Sequence, residues 1–482
     1  MTQDFIGPEV LDQMHRESSN DRTAPDDRAS VESVLRVSTD RAATDSAYVV
    51  VHVVVQETTK PLVGPQVLDN MESQITTPGP ARPTRVVVVL LEPFRSLFNR
   101  DVRRSIRSLR ARAPGVTVSL LPYVSRLTVA QNASLLARYV KTYSRGLPVV
   151  FHCRGERAVE WARALSQHNG RAAIIADIRG PWPEEQLFAQ NRSDRPAEFS
   201  TDRDYERATR NLVAALGASQ RATTVSDGMR EWLAGLGVAR TRMSYIPCCV
   251  QKITYDERTR EQMREELGFS HNLVLVYAGV ANRFQYLTDG LGEFVARALE
   301  VNATVHFMAI TPDRRNMSAL LRDAGVDPAR TSIFHLPQER VTNYLMAADA
   351  GLILGKPGIL KTVVQPVKFA EYLAAGVPVI ASRGTLGIDR LISGYQAGTL
   401  VDYAQGEWSR DEIRCALDTV HTAHDTLHNG ALTLCREHLL WSRYASVQRE
   451  AYVDALAMAR FGATCLRLDA PVPANTRDRV AR

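Results

Sequence analysis

At 482 residues the chain has material for two or three domains and a sizeable core. With 45 % hydrophobic and 23 % charged residues it falls outside the disordered and fibrous classes. The formal net charge of +6 suits an anionic substrate or membrane surface, and no basic–aromatic stripe or zinc-finger spacing argues for a nucleic-acid partner. Cys153, Cys248, Cys249, Cys415, Cys435 and Cys465 form no C-x-x-C pair. The N-terminus has neither a basic n-region nor an apolar h-region, so no signal peptide is expected. These features predict a cytoplasmic protein with reduced thiols. The longest apolar run, 47–55, is broken by His52 and is too short to span a bilayer.

In chain order, residues 1–45 are polar and predict a disordered extension. Within them FIGPEVLDQM (5–14) is similar to LVGPQVLDNM (62–71), which reads as chance, as a duplication of little consequence, or as a segment that docks near the site of the second copy. From 46 to 250, apolar runs at 48–56, 85–92, 148–153, 172–177 and 222–226 alternate with helical periods such as DVRRSIRSLRAR. Continuous apolar strands are buried on both faces, as in a parallel sheet. A polar stretch, 251–271, reads as an inter-domain linker around MREELGF. A second alternating series follows over 272–435, with strands at 272–279, 304–310, 331–336, 350–355, 377–382 and 397–402. A C-terminal helix over 436–465 is expected to pack back on the first domain, and 466–482 reads as a loose tail. The fold class is α/β, two Rossmann-like doubly wound domains facing a central cleft, where ligands sit beyond the carboxyl ends of the strands.

The stretch QPVKFAEYLAAGVPVIAS (365–382) reads as a short helix and then a strand. Pro366 suits the first turn of that helix and Gly376 its C-terminal cap. Val367, Ala370, Leu373 and Ala374 share one face for packing on the sheet. Lys368 and Glu371 share another, and two readings compete for them. One is a surface ion pair at i,i+3. The other is a ligand-facing side, with the helix N-terminus offering N–H groups to a diphosphate and the carboxylate accepting from a ribose diol.

Three segments resemble glycosyltransferase family 4, retaining enzymes of the GT-B fold. They are PVKFAEYLAAGVPVIAS (366–382), ADIRGPWPEE (176–185) and VSDGMREWL (225–233) followed by YIPC. The likeness runs in order from about residue 47 to 460. It implies that Glu371 holds the nucleotide ribose, that Gly64 in PLVGPQ lines the sugar's path, and that His152 in FHCRG lies near the transferring sugar. His152 also reads as an ordinary core histidine. The chain departs from the family at Val363, where a first glutamate is usual, and in the loop 279–290, where Arg283 is not followed by a lysine. Lys361 and Lys368 are left to supply the second positive charge on the diphosphate. Asp177, Glu184 and Glu185 are the other polar groups available to face an acceptor.

The expected activity is retaining transfer of a sugar from a nucleotide-sugar donor to a glycan, lipid-linked or small-molecule acceptor, with the donor a substrate and no cofactor or metal called for. The rivals are a non-catalytic member of the fold and a sugar-nucleotide epimerase. In the helix 101–112, Val102, Ile106 and Leu109 form an inner face, and Arg103, Arg104, Arg107 and Arg110 cover much of the rest. They form a solvated face or an attachment to anionic lipid, each arginine contributing about 1 kcal/mol near such a surface. No Walker loop, G-x-G-x-x-G after a strand, H-E-x-x-H or G-x-S-x-G occurs.

Overall fold

A computed structural model of the chain describes residues 47–191, 202–281, 286–385 and 387–460. The 1–45 extension with its 5–14 segment, the 466–482 tail and Arg283 lie outside those residues.

Two parallel sheets carry the structure. The first holds β1 (Val49–Val55), β2 (Arg85–Pro93), β3 (Thr117–Tyr123), β4 (Val149–Arg154), β5 (Ala172–Ile178), β6 (Arg221–Thr224) and β7 (Met243–Tyr245), in the order 3-2-1-4-5-6-7. The second holds β8 (Leu273–Ala278), β9 (Val305–Ile310), β10 (Thr331–Phe334), β11 (Ala350–Ile353), β12 (Val379–Ser382) and β13 (Gly398–Val401), in the order 10-9-8-11-12-13. Each expected apolar run became a strand. Two further strands of these sheets do not stand out from sequence: β3 mixes polar and half-exposed residues, and β7 is only three residues long.

The valine runs explain why both faces of the first sheet are buried. In β1, Val49, Val51 and Val53 enter one core layer, while Val50 and Val54 enter the other. β2 splits in the same way, with Val87, Val89 and Leu91 on one side and Val86, Val88 and Leu90 on the other. Period-2 side-chain alternation therefore feeds two helical layers at once.

The chain crosses between the domains twice, side by side. Val250 donates to the Leu439 carbonyl and accepts from the Trp441 N–H, joining the outgoing and returning strands in one parallel bridge. The helix Trp441–Arg460 then lies on the first domain against β4, β5, β7 and the helix Asp69–Thr76. Arg449 anchors it, donating from Nη2 to the carbonyls of Gln74 at 2.8 Å and Thr77 at 2.7 Å. These carbonyls close the Asp69–Thr76 helix, so the guanidinium serves as its C-terminal cap. The helix Glu257–Glu266, inside the stretch that reads as a linker, is bound to the second domain. Arg260 and Arg264 both reach the buried Asp349 carboxylate, at 2.6 and 3.0 Å.

Candidate active site

The order of each sheet reverses once, between β1 and β4 and again between β8 and β11. Ligands of doubly wound sheets sit outside the carboxyl ends of the strands at these points. Both are built here from polar and small residues.

On the second domain the site rests on the helix Val367–Ala374. Tyr372 locks it in place. Its hydroxyl accepts from the Ala278 N–H at the end of β8 at 2.8 Å. Its ring lies on Gly351 of β11, where a Cβ would fall 2.3 Å from Cδ2. A Schellman motif ends the helix, with Gly376 donating to Leu373 and Val377 to Tyr372. Gly376 adopts φ +71°, as its C-capping role requires. Pro366 stands one position earlier than the sequence suggested. It is the N-cap, and the first helical residue is Val367. The missing N–H still costs nothing, because the turn begins after it. Val367 also departs from expectation: it packs against the core of the first domain, while Phe369, Ala370, Tyr372 and Leu373 fill that of the second.

Lys368 and Glu371 do not form a surface ion pair. Lys368 is buried, with Nζ 4.8 Å from the centre of the Tyr277 ring. It lies against Gly279, the residue after β8, where a Cβ would meet Nζ at 2.9 Å. Gly279 has φ +147°, so both backbone and space reserve the position for glycine. Burial pulls the Lys368 pKa down to about 8, with Glu371 opposing. Glu371 is half-buried and makes no side-chain hydrogen bond or ion pair with any described residue. Burial raises its carboxyl above the ordinary range, against Lys368 and then Arg112. Arg112 belongs to the first domain, so Glu371 lies within electrostatic reach of that domain. There Arg112 grips Asp69 with two contacts of 2.6 Å and lies against Gly64, whose Cβ would fall 3.2 Å from the arginine Cδ. The structure thus brings Gly64, Lys368 and Glu371 to one place. Gly64 opens a wide turn (Gly64–Leu68) in which the Asp69 N–H reaches back to its carbonyl. Trp441 Nε1 donates to the Pro65 carbonyl in this turn at 2.9 Å, and Gln66 donates to the Cys249 carbonyl at 3.0 Å.

Lys361 is buried on the short helix Ile359–Val363, with Nζ beside Gly384. Burial draws its pKa down to about 8, against Asp389 and Asp402. Val363, where the resemblance to family 4 leads one to expect a glutamate, faces the first domain: its side chain joins that core and its carbonyl accepts from the Ser226 hydroxyl. Gly228 permits this seam, since a Cβ there would lie 2.1 Å from the Thr362 carbonyl oxygen. A second seam joins Gln365 Oε1 to the Cys248 N–H at 2.7 Å.

His152 lies deeper than the sequence suggested. β4 continues two residues past it, and the ring is fully buried beneath the Trp441–Arg460 helix. It stacks on His52 of β1, centroids 4.5 Å apart. Nδ1 meets the Tyr452 hydroxyl at 2.8 Å, and Nε2 faces Asp177 at 3.6 Å. His52, His152 and Asp177 are close enough to share an ion. Yet the rings are near parallel, so their in-plane lone pairs do not converge. Asp177 is committed to Arg179 at 2.8 Å and to the Thr223 hydroxyl at 2.7 Å. Arg154 and Arg179 also keep the surroundings positive, adding to the burial that depresses His52.

Those two arginines were missed as site residues, although each ends or follows a central strand. Arg154 gives Nε to Glu57 at 2.8 Å. Arg179 gives Nε to Asp177. Arg154 and Asp177 are register partners, and Arg179 is two residues on, so both guanidiniums leave the same face. Nη1 of Arg154 and both Nη atoms of Arg179 are buried without an acceptor among the described residues. Glu184 accepts from Tyr205, whereas Glu185 has no such partner among the described residues, and burial together with Glu156 lifts its pKa to about 7. Tyr452 and Gln448 carried no signal in the sequence, because the returning helix alone brings them to His152.

No family model and no curated protein matches the sequence. Solved structures do. The fold is similar to that of HepE from Anabaena in complex with UDP, with TM-score 0.61 and 12 % identity over 84 % of this chain and 99 % of that one. Sucrose-phosphate synthase from Thermosynechococcus elongatus gives 0.58 and 14 % over 85 % and 99 %. A glycosyltransferase from Rickettsia africae gives 0.58 and 12 % over the same shares. Two doubly wound parallel sheets, joined by a double crossing and facing each other at their switch points, give this chain the GT-B fold.

Proposed function

We propose that this protein is a retaining glycosyltransferase of the family 4 type, taking a sugar from a nucleoside-diphosphate donor. The observation that carries the reading is the unpaired Lys368–Glu371 side of the Val367–Ala374 helix, set against Gly279 and within electrostatic reach of Arg112, which lies on Gly64. Glu371 accepts from the ribose diol. Lys368, Lys361 and the helix N-terminus receive the diphosphate. As the anomeric C–O bond breaks, its electron pair passes to the β-phosphate oxygen, and these cations and dipoles hold the growing charge. The acceptor hydroxyl attacks on the same face and gives its proton to that phosphate oxygen. No protein nucleophile and no metal enters the scheme. HepE has been solved with UDP and with UDP-glucose, which makes a uridine donor the first to try.

The acceptor would be a glycan, a lipid-linked sugar or a small molecule, lying on the first domain near Arg154, Arg179 and Glu185. Arg103, Arg104 and Arg107 would hold the protein to the inner, cytoplasmic surface of a membrane. No described helix is long and apolar enough to cross one. A second reading, a non-catalytic sugar-nucleotide-binding protein, is favoured by Val363, which spends the position of the first glutamate on packing between the domains.

The test is a thermal-shift screen against UDP, GDP, ADP and their sugars, with Glu371→Ala in parallel. A nucleotide at 100 times its Kd adds about 2.7 kcal/mol. A shift with one base that the variant loses supports the donor site, and turnover of that donor then separates the transferase from the non-catalytic reading. No shift with any nucleotide defeats both.

A further inference from the structure

The first domain exposes an apolar tip beside the cleft that the donor site does not use. β2 ends at Pro93 in a short turn, Phe94–Phe98. Phe94 is 53 % exposed and Phe98 71 %. Neighbouring β3 ends at Tyr123, and Val124 and Leu127 beyond it are also exposed. The Phe94–Phe98 turn touches the ends of β2 and β3 and the helix Arg100–Arg112, so these side chains share one corner. Soluble proteins rarely leave large apolar side chains clustered on the surface without a partner.

Cations surround the tip. Arg95, Arg100, Arg103, Arg104, Arg107 and Arg126 are all exposed. Arg103 leans on the Phe98 carbonyl at 3.3 Å, and Arg107 has no partner among the described residues. Arg110 is drawn away to the Val118 carbonyl. Asp101 is the single acid between Glu92 and Glu156.

We infer that the Phe94–Phe98 turn inserts into the headgroup region of an anionic bilayer, with Arg95, Arg100, Arg103, Arg104 and Arg107 pairing with lipid phosphates around it. An apolar tip ringed by arginine matches the layering of that interface, where rings meet the upper acyl chains and guanidiniums stay with the headgroups. The rings argue against single-stranded nucleic acid. They stand 74° apart at a centroid distance of 5.9 Å and cannot offer parallel faces to successive bases. The turn follows β2, on the same end of the sheet as Gly64 and Arg154. Docking would therefore hold the cleft against the bilayer, within reach of a lipid-linked acceptor. That consequence rests on the transferase reading, whereas the docking itself does not.

The experiment is vesicle flotation of the full chain with phosphatidylcholine alone and with three parts in ten phosphatidylglycerol. We compare Phe94→Ser/Phe98→Ser with Arg103→Gln/Arg104→Gln/Arg107→Gln. The expected result is binding to the anionic vesicles only, reduced roughly fivefold per arginine removed and about tenfold or more by the phenylalanine pair, with a smaller salt dependence for the latter loss. All substituted side chains are exposed, so unchanged melting temperatures are expected. Failure of the native chain to float with anionic vesicles overturns the inference. So does a phenylalanine variant that binds as well as the native chain, which would mean mere electrostatic adsorption. Preferential binding of a single-stranded oligonucleotide over vesicles overturns it as well. Nucleotide-induced melting shifts on the same variants keep the two ideas apart: a native chain that floats but shows no shift removes the transferase reading alone.

Discussion

Replacing Lys368 by methionine should stabilise the free protein and damage nucleotide binding. The ammonium is buried and has no carboxylate within ion-pairing distance among the described residues. A pKa drawn from 10.5 to about 8 corresponds to roughly 3 kcal/mol spent keeping it charged at neutral pH. Its position 4.8 Å from the Tyr277 ring centre returns part of this, about 1–2 kcal/mol for a partly desolvated cation–π contact. Burial wins by about 1–2 kcal/mol. Methionine keeps the unbranched length and covers the same ring without the charge. The melting temperature without nucleotide should therefore rise by a few degrees, at about 2–4 °C per kcal/mol for a domain of this size. The shift produced by the best nucleotide should shrink or vanish. Differential scanning fluorimetry with and without nucleotide reads both quantities on one plate. A variant that melts several degrees below the native protein would show that Lys368 is a structural cation. A variant that keeps the full nucleotide shift would remove Lys368 from the diphosphate site. Either result refutes the argument.

Lys361 and Lys368 both sit near pKa 8 when the cleft is free, and a bound diphosphate should raise them. Binding then takes up protons, so nucleotide affinity should hold below pH 8 and fall as pH rises beyond it, by at most about two decades per unit for two lysines. Titration calorimetry in buffers of different ionisation enthalpy measures that uptake directly, and zero uptake at pH 8.5 would exclude both lysines. Gly228→Ala should cost about 2 kcal/mol or more, because its Cβ would lie 2.1 Å from the Thr362 carbonyl oxygen, backbone that cannot swing aside. Urea denaturation tests this, and a neutral outcome would mean that the domain seam opens freely. Arg449→Met should cost about 2–3 kcal/mol by leaving the end of the Asp69–Thr76 helix uncapped beneath the last helix. Unchanged urea stability would show that those carbonyls find other donors.

Much of this protein was legible in one dimension. A strand such as β8 is an unbroken apolar run, and a run buried on both faces suits the inside of a parallel sheet. Val102, Ile106 and Leu109 recur at helical spacing, and they are the buried face of their helix. Pro366 and Gly376 bounded the Val367–Ala374 helix to within one residue, since backbone chemistry at helix ends is local. β3 escaped notice because its residues are mixed, and an edge strand needs no continuous apolar run.

The sequence by itself determined which segments became strands and helices, because periodicity and capping act over a few residues. It also placed a charged pair on a helix that is otherwise core. Only the tertiary structure decided what that pair meets. The helix locked by the Tyr372 hydroxyl on Ala278 sets Lys368 over Tyr277 and Glu371 within electrostatic reach of Arg112, a residue of the other domain. The same holds for His152, whose partners Tyr452 and Gln448 lie about three hundred residues away along the chain. It holds as well for Arg154 and Arg179, whose shared face follows from strand register. Charge, burial and pKa depend on neighbours in space, and those neighbours are set by how two sheets and a returning helix pack together.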